Sequence, residues 1–229
     1  LLNKLKQFNY PFETFQIDLQ DNLKLEEFYT NIDSWSRSNV VKDLYHFASP
    51  NIESSLSSHL DIGFNIIRKL TNILLPTFMK IHSSSIVFMS SIAVERSQGE
   101  KWDNYILSKS ITDKFLHRLS MDYGKYGLQC LSIMPSMVNT PLVENIKQSK
   151  NLLSSFKISR EYISFKKNSS SSGFLIINNF QTKFKPYGLF HSEIDDFELN
   201  KDNIKNTINI KSGNNEKSID KNKFENNDT

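Results

Sequence analysis

Tyr105 and Lys109 stand four residues apart in the stretch "WDNYILSKS", residues 102–110. On a helix, that spacing puts both side chains on one face. A free phenol has a pKa of about 10 and is a poor acid or base at neutral pH. A neighbouring ammonium favours the phenolate and lowers that pKa, toward the range in which proton transfer is useful. The pair alone is weak, because both residue types are common. Its position strengthens it. Ser91 stands fourteen residues upstream of Tyr105, at the end of the apolar run "SIVFMSS".

The elements that must position these residues alternate along the chain. "FETFQID" (12–18) and "VVKDLYHFAS" (40–49) suit strands, while "NLKLEEFYTNI" (22–32) has helical spacing. Residues 57–80 read as one long helix, with Pro76 in its last turns. "SIVFMS" (85–90) and "LQCLSIM" (128–134) are continuous apolar runs, as expected of strands covered on both faces. Between them, residues 104–127 read as a helix ended by Gly124 and Gly127. Residues 142–172 hold a short helical piece and a Ser/Lys/Asn-rich loop, and "GFLIINNF" (173–180) is a candidate last strand. This order predicts an α/β fold, a Rossmann-like doubly wound parallel sheet. In such sheets ligands sit beyond the carboxyl ends of the strands. "HFASPN" (46–51), Ser91, Tyr105 with Lys109, and "MPSMVNTP" (134–141) should all meet at that edge.

The bulk numbers narrow the classes. The chain has 229 residues and a net charge of +3, too small to argue for a nucleic-acid or membrane partner. No stretch approaches the roughly 20 apolar residues needed to span a bilayer, and no signal peptide is visible. One cysteine, Cys130, rules out an internal disulfide and fits a reducing, cytoplasmic setting. It sits in an apolar run and reads as a small buried side chain. The first residue is leucine, so a piece of a longer protein or a processed product is expected. The division expected is a folded region over 1–180 and an Asn/Lys-rich tail over 181–229. From about residue 198 the tail is too polar to offset the ordering of its backbone, and disorder is expected there. His46 reads as a half-buried strand residue. His59, His82, His117 and His191 have no metal-ligand spacing. Trp35 reads as a packing residue, Trp102 as a candidate pocket wall, and Met134 and Met137 as core or pocket lining.

Taken together, "DLQD", "DLYHFASP", "LLPTFMKIHSSSIVFMSS", "YILSK" and "LSMDYGKYGLQCLSIMPSMVNTP" resemble the short-chain dehydrogenase/reductase superfamily over roughly residues 1–142. The resemblance implies a Rossmann fold, NAD or NADP as cofactor, and hydride exchange with a small-molecule carbonyl or alcohol substrate. It implies that Tyr105 is the general acid in reduction and the base in oxidation. Lys109 would lower the Tyr105 pKa and bond the nicotinamide ribose. Ser91 would polarise the substrate carbonyl, although the family's usual gap is one residue shorter and leaves Ser90 in contention. Asp18 resembles the aspartate that contacts the adenine amino group. Ala48 and Ser49 stand where the chain passes the cofactor, and Val138 and Thr140 resemble the residues that hold the carboxamide. Family members commonly pair through the helices corresponding to 57–80 and 104–124, so a homo-oligomer is compatible with the resemblance.

The sequence also departs from the family. None of its seven glycines lies before Gly63, and none forms the G-x-x-x-G-x-G turn that cradles pyrophosphate. In the family register the first β-α-β unit is lacking. The active-site asparagine of the long helix falls near Gly63, with Asn65 two residues away and facing elsewhere. "FASP" replaces Asn-Asn-Ala-Gly, and Ser136 replaces the glycine usual after that proline. These departures keep a non-catalytic binding or scaffold domain in view. "DLYHFASP" also keeps a nucleotide-sugar epimerase-like or megasynthase ketoreductase-like domain in view.

Overall fold

The computed structural model describes residues 14–95, 100–140 and 152–187. Helix α1 (Asn22–Ser38) starts at Asp21, whose carboxylate accepts from the backbone N–H groups of Leu23 and Lys24. Strand β1 (Asp43–His46) follows. Next come α2 (Leu56–Leu60), a π-helical turn (Asp61–Asn65) and α3 (Ile66–Phe78). Strand β2 (Ser84–Met89) leads through short 3-10 turns to α4 (Asp103–Tyr123). Strand β3 (Leu128–Pro135), α5 (Ser155–Asn168), β4 (Gly173–Ile177) and β5 (Thr182–Pro186) complete the order.

The strands form one sheet in the order β1-β2-β3-β4-β5. β1 to β4 are parallel, and β5 returns antiparallel along β4. Alternation along the strands divides the core. Ile86, Phe88 and Cys130 pack on one face with Ile67, Leu74 and Phe78 of α3 and Leu116 and Leu119 of α4. Val87, Leu131 and Ile133 pack on the other with Ile158 and Phe165 of α5. Helices thus cover both faces, and the sheet is the doubly wound, Rossmann-like class expected. Gly127 makes the tight entry into β3. Its φ of 89° is left-handed, and a Cβ there would lie 2.3 Å from the His82 carbonyl oxygen.

Several expectations change. Residues 14–18 of the expected first strand carry no strand. Their apolar side chains serve α1 instead: Phe15 meets Phe28 edge-on at 5.6 Å, and Ile17 packs near Leu25 and Tyr29. The helix expected within 142–172 is a full 14-residue element, α5, capped by Ser154. The sheet also runs past residue 180, because Phe184 of β5 is buried against Phe165 at a ring distance of 4.6 Å. The expected tail disorder lies outside the described residues. Cys130 is buried, and burial pushes its thiol pKa up. Among the described residues no helix is long and apolar enough to cross a membrane, and no group of three or more His, Cys, Asp or Glu could hold a metal ion.

Candidate functional site

The carboxyl ends of β1, β2 and β3 and the start of α4 border one cavity of about 1070 Å³. Its lining includes Ser49, Ser91, Tyr105, Lys109, Val138 and Thr140. Asp18 and Ala48 are not among the lining residues. Asp18 accepts from the Gln20 N–H in the turn before α1.

The buried stripe of α4 explains how Tyr105 and Lys109 are aimed. It runs through Tyr105, Ser108, Lys109, Thr112 and Asp113, then turns apolar at Leu116 and Leu119. The polar half is satisfied locally. Ser108 Oγ donates to the Tyr105 carbonyl at 3.1 Å, and Thr112 Oγ1 donates to the Gly63 carbonyl at 3.1 Å and the Ser108 carbonyl at 3.0 Å. Gly63 lies in the π-helical turn, whose wider winding frees carbonyls from the ordinary ladder. The Ile62 carbonyl there accepts from His46 Nε2 at 2.9 Å. A carbonyl can only accept, so Nε2 carries the proton. Burial, with the charge of Lys109 second, lowers the His46 pKa to about 4, and the ring is neutral. His46 is 6% exposed and stacks on Phe88, more enclosed than the half-buried residue expected. Asn65 bonds Asp61 Oδ1 at 2.9 Å on the outer side of the helix, as its offset from Gly63 implied.

The two serines have different partners. Ser90 Oγ donates to Asp113 Oδ2 at 2.6 Å, whereas Ser91 Oγ accepts from the Ala93 N–H at 3.2 Å, lines the cavity with Tyr105 and favours its phenolate. Both serines line the cavity, and Ser90 is committed to the Asp113 carboxylate. Tyr105 is 7% exposed and held between rings, edge-on to Trp102 at 5.8 Å and to His59 at 5.9 Å. Lys109 is 2% exposed. Its Nζ donates to the Met89 carbonyl at 2.8 Å and lies 4.7 Å from the Phe88 ring centroid and 5.4 Å from that of Tyr105.

The electrostatics differ from expectation. Lys109 was to lower the Tyr105 pKa, but the phenol pKa is raised by burial, with Ser91 lowering it and Asp113 raising it. Lys109 itself is lowered to about 8 by burial, against the raising effect of Asp113. The Tyr105 phenol is therefore protonated at neutral pH. Asp113 gave no sequence signal, because its partners Ser90 and Ser132 lie on other elements. The opposite wall was missed as well. Tyr45, Phe47, Tyr162, Ile163 and Phe180 line it, and Tyr45 and Tyr162 share a hydroxyl–hydroxyl hydrogen bond of 2.9 Å across 117 residues of sequence.

Comparison with known proteins places this geometry. The family model described as short chain dehydrogenase matches residues 2–151. No curated protein matches the chain. Among solved structures, a 4-hydroxyisoleucine dehydrogenase mutant complexed with NADH and succinate is similar at 16% identity and a TM-score of 0.63, over 77% of this chain and 82% of that one. A short chain dehydrogenase from Salmonella enterica subsp. enterica serovar Typhi is similar at 20% identity and a TM-score of 0.63, over 77% and 78%. A 7α-hydroxysteroid dehydrogenase complexed with NADH and 7-oxo glycochenodeoxycholic acid is similar at 14% identity and a TM-score of 0.58, over 77% and 76%. At these identities the structures share the fold.

Proposed function

The chain belongs to the short-chain dehydrogenase/reductase family of oxidoreductases, and we propose that its cavity exchanges a hydride between a nicotinamide dinucleotide and a carbonyl or alcohol, with Tyr105 as the acid–base group. The observation that carries this reading is the convergence of Ser91, Tyr105 and Lys109 on one cavity.

The cavity fits the nicotinamide end of such a cofactor. Ser49 Oγ is buried there without a hydrogen-bond partner, and Lys109 Nζ has three N–H bonds and donates one to Met89. Ser49, Val138, Thr140, Tyr105 and Lys109 would hold that end. Ala48 would mark the passing chain, and Asp18 the adenine end. Bound NAD or NADP supplies the hydride in reduction and accepts it in oxidation. In reduction, the Ser91 and Tyr105 hydroxyls donate to the carbonyl oxygen, and the Tyr105 proton passes to it as the alcohol forms. The Lys109 ammonium offsets the phenolate left behind. In oxidation the same phenolate takes the alcohol proton. The apolar ring contacts of Tyr105 limit water at the transferring oxygen.

The test is NAD(P)H oxidation by the full chain against a panel of carbonyls. Turnover that needs the Tyr105 hydroxyl supports the mechanism, and a Tyr105→Phe variant with full activity rejects it. A second reading is a non-catalytic binding domain. Gly63 near the asparagine position favours it. Titration calorimetry separates the two, because sub-millimolar binding of NADH or NADPH counts against the second. Pairing of copies through α3 and α4 is part of the same proposal and is checked by sedimentation.

A further inference from the structure

Tyr105, Lys109, Asp113 and His117 follow one another at intervals of four along α4. Each step turns about 40° beyond a full circle, so the stripe drifts slowly and stays toward the sheet. The mechanism above uses the first two. Asp113 lies one turn further in and is 4% exposed.

A carboxylate taken out of water is costly unless hydrogen bonds and an opposite charge compensate it. Asp113 has both. Ser90 Oγ donates to Oδ2 at 2.6 Å, and Ser132, whose own hydroxyl lies 2.8 Å from Tyr187 Oη, stands beside the same carboxylate. Oδ1 has no hydrogen-bond partner among the described residues. The cation acting on it is Lys109, one helical turn away on the same face. The relation is reciprocal. Lys109 is enclosed by a carbonyl and two aromatic rings, and Asp113 is the charge that supports its protonation against burial. The other titratable groups around Asp113 are Glu95, after β2, and the Tyr105 and Tyr187 phenols.

Resting on the proposed role of Lys109, we propose that Asp113 is a positioning residue. It is the counter-charge that keeps the buried Lys109 ammonium protonated, and through Ser90 it fixes the end of β2 from which Ser91 projects. Asp113 is raised to about 6, chiefly by burial, and Lys109 is lowered to about 8.

The test is a pH titration by NMR of the full chain labelled with 13C at the lysine ε carbon. Lys109→Met identifies the Lys109 resonance. In Asp113→Asn the Lys109 midpoint should fall, its acid constant rising at least tenfold, with the circular dichroism spectrum unchanged. A midpoint that stays within twofold in a folded variant overturns the proposal. Should Asp113→Asn not fold, the chain and Lys109→Met are titrated with 13C at the aspartate carboxyl instead. Without the ammonium the Asp113 midpoint should rise, its acid constant falling at least threefold, and an unmoved Asp113 again overturns the idea. Neither titration needs cofactor or turnover. A negative result therefore strikes the Asp113–Lys109 coupling alone, and an inactive chain strikes the proposed function alone.

Discussion

The two walls of the cavity are built from opposite materials. The wall made by the end of β2 and the start of α4 is polar and sealed: Ser90, Tyr105, Lys109 and Asp113 are all buried. The wall made by β1, α5 and the β4–β5 turn is aromatic and open, with Tyr45 46%, Phe47 54% and Phe180 92% exposed. Burial strengthens electrostatic interactions and shifts pKa values, so the sealed wall is where protons can be held and moved. The open wall offers apolar area and few fixed charges, which suits binding rather than chemistry. If this division is right, substitutions on the first wall change rates and titrations, and those on the second change affinity.

The largest expected effect is on the sealed wall. Tyr105→Phe should lower turnover by about 10²–10⁴-fold, the usual contribution of a positioned acid–base group. Steady-state NAD(P)H oxidation measures it, with unchanged cofactor binding as the control.

The next is a stability effect behind the walls, at the buried last residue of β1. His46 is lowered from 6.5 to about 4 in the folded chain. The unfolded chain therefore binds more protons between those values, and the His46 contribution grows as pH rises through the window and is lost as pH falls. The stability advantage of the chain over His46→Gln should increase by about 3 kcal/mol from pH 4 to pH 6.5. Asp113, raised from 3.8 to about 6, acts with the opposite sign over much of this range, so the difference between the two proteins is the quantity to follow. Urea unfolding at several pH values checks it, and a constant difference breaks the assignment.

Smaller again is Ser91→Ala, which removes the hydroxyl proposed to donate to the substrate carbonyl. A fall of about tenfold in turnover is expected from the typical worth of a single donor, with stability little changed. The smallest effects belong to the open wall. Tyr162→Phe removes the hydroxyl pair with Tyr45 and should cost at most about 1 kcal/mol in thermal or urea unfolding. Phe180→Ser should leave stability within about 0.5 kcal/mol while raising KM for bulky apolar carbonyls and leaving kcat for small ones. Should either change abolish turnover, the division between the walls fails.

Much of the arrangement was legible in order and pattern. Apolar runs at β2 and β3 announced a sheet covered on both faces, and the helical period located α3 and α4. Tyr105 and Lys109 were legible because a spacing of four is a geometric statement within one helix. The expected strand over 12–18 misled because alternation shows which side chains share a face but supplies no neighbour to pair with. Residues 14–18 instead lean on α1. β5 escaped because its burial pattern has only Phe184 inward.

The sequence alone determined the sheet class and the edge at which the chemistry-bearing residues gather, since both follow from element order and the right-handed crossovers that order imposes. Only the tertiary structure decided which partners each group meets there. Ser90, just past the end of β2, is held by the carboxylate of Asp113 from α4, while Ser91 stays at the cavity with Tyr105. Tyr105 holds its proton more tightly than the bare Tyr–Lys pair implied. Burial and the charge of Asp113 raise its pKa, and those are properties of enclosure that no spacing encodes.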